Sequence, residues 1–173
     1  MSRSRAETFS EEARRLQALQ EYAVLESAEE QAYDDITRMA ASICETPIAL
    51  ISLTDSDRQW FKSRVGFHQS EIPREYAFCA AAIECSRSTD VLVIDDVTKD
   101  PRFAKNSLVN AQPPIRFYAG APLIAPSGHA IGTLCVLDWT PRHLAAEQVE
   151  TLLFLAAQVM AKLEVRKRDL AKL

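Results

Sequence analysis

Hydrophobic and polar positions divide the chain into segments of two different periods. Leu16, Leu19, Tyr22 and Ala23 fall at helical spacing behind Ser10, a candidate cap, while Glu11, Glu12, Arg14, Arg15 and Gln17 form a polar face. Residues 1–9 ahead of that helix read as a disordered tail. Ser27-Ala-Glu-Glu30 has the capping-box pattern and predicts a second helix with Tyr33, Ile36, Met39, Ala40 and Ile43 on one face. Thr46-Pro47 ends it, because the residue before proline is pushed out of the α region. The pattern then turns β-like. Ile48–Thr54 is apolar on both faces, as a central strand is, and Asp55-Ser56-Asp57 makes a turn. In 58–65, Trp60, Lys62 and Arg64 alternate with Phe61, Ser63 and Val65, which predicts a half-exposed edge strand.

Residues 66–75 read as a loop, Tyr76–Cys85 as a short alanine-rich helix, and Asp90–Asp95 as a short strand. The stretch 96–114 has little periodicity beyond one helical turn at Asp100-Pro101, and a loop of that length in a compact domain is often functional. Two apolar runs, 116–124 and 130–138, flank Pro126-Ser127-Gly128-His129 and predict a hairpin. Both runs carry small residues where a packed sheet would place Val or Ile, which leaves room for something to approach. Thr140 and Pro141 then read as cap and first position of a final helix running to the end, roughly 45 Å long. Its Val149, Leu152, Ala156, Val159, Leu163 and Leu170 follow a 3–4 spacing that suits a coiled-coil seam or a helix lying on a sheet. Leu16, Leu19, Leu152, Val159, Leu163 and Leu170 are the expected dimer interface.

Composition narrows the class. The 173 residues suit one domain, and 47% hydrophobic with 25% charged residues is ordinary for a globular protein. A net charge of −4 without a basic stripe argues against nucleic acid as a partner. No apolar run reaches a membrane span and the N-terminus has no signal-peptide core, so the expected location is cytoplasmic, with no membrane partner. Four cysteines, none in a CxxC, read as reduced small apolar residues. Neither GxGxxG nor GxxxxGK[ST] is present, and His68, His129 and His143 are too scattered for a metal site. No cofactor is required by the sequence.

The order helix–helix–strand–strand–helix–strand–loop–hairpin–long helix resembles the GAF domain. DRQWFKSRVG (57–66), REYAFCAAAI (74–83), VLVIDDVTKDPRF (91–103), IRFYAGAPL (115–123) and GHAIGTLCVLD (128–138) carry the likeness, which is to bacterial signalling GAF domains and covers most of the chain. It implies an α+β sandwich: one central antiparallel sheet of five or six strands, order 2-1-5-4-3 for the five read above. The terminal helices would lie on one face and a small-molecule pocket on the other. A single GAF domain over 10–165 is expected, with the 141–173 helix ending in a coiled-coil or signalling segment.

The pocket residues expected from this are Phe61, Phe78, Cys79, Ile83, Asp96 and Phe103, with Phe117, Ala119, Ala121, Thr133 and Cys135 from the hairpin. Asp95, Asp96 and Asp100 read either as acceptors for an amine or purine or as turn caps. Cys79 reads as a buried apolar residue or as a thiol activated by the helix start and Arg74. The resemblance implies a sensory or regulatory module, not an enzyme, that binds an unidentified small molecule and signals as a homodimer. Its output would be a histidine kinase (two-component) or diguanylate cyclase, on a partner or in a longer chain. Two other readings stay open: a free-methionine-sulfoxide-reductase-like enzyme using Cys79, against which stands the absence of any cysteine from 96–114, and a ligand-free dimerisation scaffold.

Overall fold

The structure, a computed structural model, describes residues 4–76, 78–85 and 90–173. The side chain of Cys85 lies outside that description. Helices α1 (Arg5–Gln20) and α2 (Gln31–Cys44) precede strands β1 (Ile48–Thr54), β2 (Arg58–Val65) and β3 (Glu71–Pro73). Helix α3 (Phe78–Cys85), strands β4 (Leu92–Ile94), β5 (Phe117–Ile124) and β6 (Ala130–Asp138), and helix α4 (Ala146–Ala171) complete the chain. All neighbouring strands are antiparallel in one six-stranded sheet, order β3-β2-β1-β6-β5-β4. This is the expected order with β3 added beyond β2.

That addition corrects one reading. Strand β2 is not an edge: Gln59 pairs with Ile72 of β3, and most of β2 is buried. The helix starts also differ. Helix α1 begins at Arg5 with Ser4 and Glu7 in a reciprocal capping box, so residues 5–9 are helical rather than tail. Ser27 does not cap α2. Its hydroxyl donates to Val24 O and accepts from Lys62 Nζ, and Glu30 sits at the N-cap without a side-chain capping bond. Helix α4 begins at Ala146, past Pro141, and its 26 residues span about 39 Å.

The sheet separates two apolar cores. On one face α1, α2 and α4 cover Ala49, Ile51, Leu53, Trp60, Phe117, Ala119, Ala121, Leu123, Leu134 and Val136. On the other, α3 and the 97–115 segment cover Leu50, Phe61, Tyr118, Cys135 and Leu137. Directly paired residues of adjacent strands share a face. Ala119 pairs with Val136, and Gly120 pairs with Cys135, so odd residues of β5 lie beside even residues of β6. A bulge after Ile51 breaks the simple alternation of β2: Ser63 pairs with Ile51, but Phe61 pairs with Ser52 and Trp60 with Leu53. Lys62 is the extra residue. Its ammonium is buried on the helix side against Ser27 Oγ (2.8 Å), Glu30 Oε2 (2.6 Å) and the ring of Tyr33.

The small residues of the hairpin have an internal purpose. A Cβ on Gly132 would come within 2.0 Å of Ser52 O on β1, so glycine is what lets these backbones approach. A Cβ on Gly120 would come within 2.2 Å of the Tyr118 hydroxyl, because that phenol ring lies flat across Gly120. The molecule's own atoms fill the room that the sequence left for a ligand.

Candidate functional site

Cys79, near the start of α3, and Cys135, in the middle of β6, meet beneath the cap. Their sulfurs are 3.9 Å apart, and both thiols are free and buried. The Thr133 hydroxyl donates to Cys79 Sγ at 3.1 Å and the Tyr118 hydroxyl at 3.5 Å. Tyr118 is aimed there by its position across Gly120 and by stacking on Phe78, with centroids 5.2 Å apart. Ser52 adjoins Cys79 as well, although its proton goes to Gln59 Oε1 at 2.8 Å, which Thr54 Oγ1 also reaches at 2.8 Å. Gln59 Nε2 is buried without a hydrogen-bond partner among the described residues.

This arrangement makes the two thiols unequal. The Cys135 thiol, then the Thr133 and Tyr118 hydroxyls, stabilise a Cys79 thiolate against the cost of burial and bring its pKa below the ordinary thiol range. Burial and the adjacent Cys79 push Cys135 well above the ordinary thiol range. The surroundings thus favour the thiolate at Cys79 over that at Cys135. Cys44, in the opposite core, is raised to about 11 by burial.

Phe61, Phe78, Cys79, Phe103 and Cys135 come together as expected, and Thr133 joins them through Cys79. They do not enclose an open pocket. Phe78 packs on Phe103 at 4.9 Å, and the cavity left among Leu50, Phe61, Phe78, Cys79, Tyr118 and Cys135 is about 10 Å³, room for at most about one water. Phe117, Ala119 and Ala121 belong to the other core, under the helices; the register that pairs odd with even residues excludes them from the face of Thr133 and Cys135. Ile83 is half-buried on α3. Asp96 is half-buried and caps a 3-10 turn, accepting from Thr98 N at 3.0 Å; Asp100 caps the next, accepting from Arg102 N at 3.0 Å. Both take the turn role. Arg102 pairs with Asp100, and Arg116 donates to the carbonyls of Val109 and Ile115.

The expected dimer seam is spent within the chain. Leu19, Leu152, Val159 and Leu163 are buried in the helix-side core, because the sheet takes the apolar face of α4. Leu16 is half-buried and Leu170 is exposed. The large apolar residues of α4 that do face outward are Phe154, Val165 and Leu170. Sequence reasoning missed Tyr118, Leu50 and Ile72 of the cap-side core, and the Ser52–Gln59–Thr54 group. Tyr118 two residues before Gly120 was the visible signal for the first, since residues two apart share a face.

Two packed layers on one antiparallel sheet, with the thiol-bearing cap opposite the terminal helices, agree with the profile of the GAF domain, which matches residues 28–163. The chain belongs to the GAF family. A cyclic di-GMP phosphodiesterase of Pseudomonas aeruginosa is 43% identical over 141 residues, covering 81% of this chain. The chain spans 24% of that relative's length. Among solved structures, the GAF domain from an Acinetobacter phosphoenolpyruvate-protein phosphotransferase superposes with a TM-score of 0.62 at 14% identity, covering 92% of this chain and 98% of that one. A domain of a sensor histidine kinase protein from Sinorhizobium meliloti gives 0.59 at 15% identity, covering 84% and 97%. Those two likenesses support the fold. The P. aeruginosa relative corrects the expectation of a module that is not an enzyme: it is named as an enzyme, and this GAF domain matches part of it. No helix among the described residues is long and apolar enough to cross a membrane.

Proposed function

We propose that this GAF domain is the regulatory portion of a signalling protein that hydrolyses cyclic di-GMP. The observation that carries this is the 43% identity to the P. aeruginosa phosphodiesterase over four-fifths of the chain. A phosphodiesterase output takes the place of the kinase or cyclase expected from the family at large. The input acts on the cap, because Phe78 and Cys79 plug the sheet face where an open pocket was expected. A small-molecule effector would have to displace α3 to enter.

The path to an output runs through α4. Its inner face, from Leu152 to Leu163, is locked to the sheet, and its end is tied to the turn after α1, with Arg166 donating to Tyr22 O at 3.0 Å and Ala23 O at 2.8 Å. A shift of the sheet or of α1 is thereby passed to the helix that leads onward, a two-state packing change of the kind that regulates coupled domains. Phe154, Ala157, Ala161 and Val165 form an outward stripe at 3–4 spacing, the surface through which two copies would pair.

The test is a chimera in which this chain replaces the matching segment of the P. aeruginosa enzyme. Cyclic di-GMP turnover should change at least severalfold when Arg166→Ala loosens α4 from the 22–23 turn. Turnover indifferent both to that change and to removal of the whole segment overturns the regulatory reading. For pairing, sedimentation of the wild-type chain should show a dimer that Phe154→Glu converts to monomer.

A further inference from the structure

We infer that Cys79 and Cys135 form a redox-modifiable pair in which a hydroperoxide oxidises the two thiols to a disulfide that staples α3 to β6. The inference stands on the arrangement of the two sulfurs and not on the phosphodiesterase reading. The sulfurs come from elements far apart in sequence and meet at 3.9 Å, with hydroxyls from Thr133 and Tyr118 both directed at Cys79. Thr133 also reaches Cys135, but the Tyr118 hydroxyl is given to Cys79 alone. A pair of inert, space-filling thiols needs no polar groups beside it. Here Tyr118 and Thr133 bring their hydroxyls to Cys79, with the Ser52–Gln59–Thr54 group beside them, against a core that is otherwise aliphatic and aromatic. The unequal ionisation described above follows from this geometry and assigns the roles: Cys79 is the attacking thiolate and Cys135 the resolving thiol.

The chemistry balances with hydrogen peroxide. The Cys79 thiolate attacks one peroxide oxygen, the O–O bond breaks, and hydroxide leaves, giving a sulfenic acid at Cys79. The hydroxide takes up a proton and becomes water. Cys135 sulfur then attacks the sulfenic sulfur; its proton and the departing hydroxide make a second water as the Sγ–Sγ bond forms. Two thiols and one peroxide thus give one disulfide and two waters, and two electrons pass from the sulfurs to the O–O bond. A dithiol reductant reverses the change by exchange.

Access and consequence both come from α3. The cavity of about 10 Å³ that both sulfurs line is of water size, so the smallest oxidants are the ones that fit with slight opening of the cap. Helix α3 has eight residues, short enough to open without the sheet. A disulfide needs about 2.05 Å between sulfurs, so bond formation draws α3 and β6 together by up to about 2 Å. The chain from residue 79 to residue 135, which includes β4, both 3-10 turns and β5, is then closed into one covalent ring.

The experiment treats the folded full chain, in a Cys85→Ser background, with excess hydrogen peroxide, and maps non-reduced peptides by mass spectrometry. The expected result is a crosslink joining the Cys79 and Cys135 peptides, an intact mass lower by about 2 Da, and reversal by a dithiol, with Cys44 unmodified. In Cys135→Ser, the sulfenic acid should be trapped by dimedone at Cys79; in Cys79→Ser, no label should appear at Cys135. If Cys79 and Cys135 stay reduced, or go separately to sulfinic acids without a crosslink, the inference is overturned. Mapping of the chain that retains both thiols decides the matter even where a serine variant fails to fold.

Discussion

On the helix-covered face, Ala49, Ile51 and Leu53 of β1 belong to a broad apolar core under the helices, where close fit is the main requirement and Lys62 the polar exception. On the cap-covered face, the same strand presents Leu50 and Ser52 to aromatic rings, hydroxyls and two thiols. One core is broad and held by three helices; the other is held by a helix of eight residues and two 3-10 turns. The difference teaches how one sheet supports a rigid frame and a chemically sensitive side together. Apolar burial stabilises in proportion to area and is indifferent to direction, whereas a thiol cluster depends on each donor's aim.

The comparison can be broken at either face. Leu152→Ala, fully buried against the sheet, should cost about 4 kcal/mol in denaturant unfolding with an unchanged m-value. A loss under about 1 kcal/mol would mean that the helix-side core is loosely packed. Phe78→Ala should cost about 3 kcal/mol and raise amide exchange in α3 while sparing α4; equal exposure of both helices would show that the two cores are not separable. Gly132→Ala should cost about 2 kcal/mol, because the obstacle is Ser52 backbone and not a movable side chain.

Smaller effects sharpen the electrostatics. Burial would raise the Glu12 carboxyl, but hydrogen bonds from Arg15 and Arg74 outweigh it and hold it at about 2. A depressed carboxylate stabilises the fold above its unfolded pKa, and that contribution fades as pH falls toward the folded value. Glu12→Gln should therefore cost about 1 kcal/mol at neutral pH, a modest figure because solvent screens a carboxylate about one-third exposed. The gap between wild type and variant should close between about pH 5 and pH 2; a gap independent of pH would refute the ion-pair account. Tyr118→Phe should change stability by less than about 1 kcal/mol and yet slow peroxide labelling of Cys79, since it removes one donor from that sulfur and leaves the ring in place.

Local pattern was enough for β1, β2, the β5–β6 hairpin and the existence of α4, because each is a strong periodic run bounded by turn residues. It was not enough for β3. Three residues ending in proline carry no period, and they become a strand only because β2 offers a free edge. The capping pattern at Ser27 was also ambiguous, since the same hydroxyl serves Lys62, a residue 35 positions away.

By itself the sequence carried the two-sided sheet, since strands apolar on both faces require a layer on each; the fold class and the order of the five strands it showed came through the resemblance to the GAF domain. Tertiary structure alone decided which core each strand face meets. A strand's side chains alternate with period two, so one bulge in β2 or one residue of hairpin register moves a whole set to the other core. That register sent Phe117, Ala119 and Ala121 to the helices and Tyr118 to the thiols. It also gave the small residues of the hairpin their purpose: Gly132 admits the backbone of β1, and Gly120 seats the ring that carries a hydroxyl to Cys79.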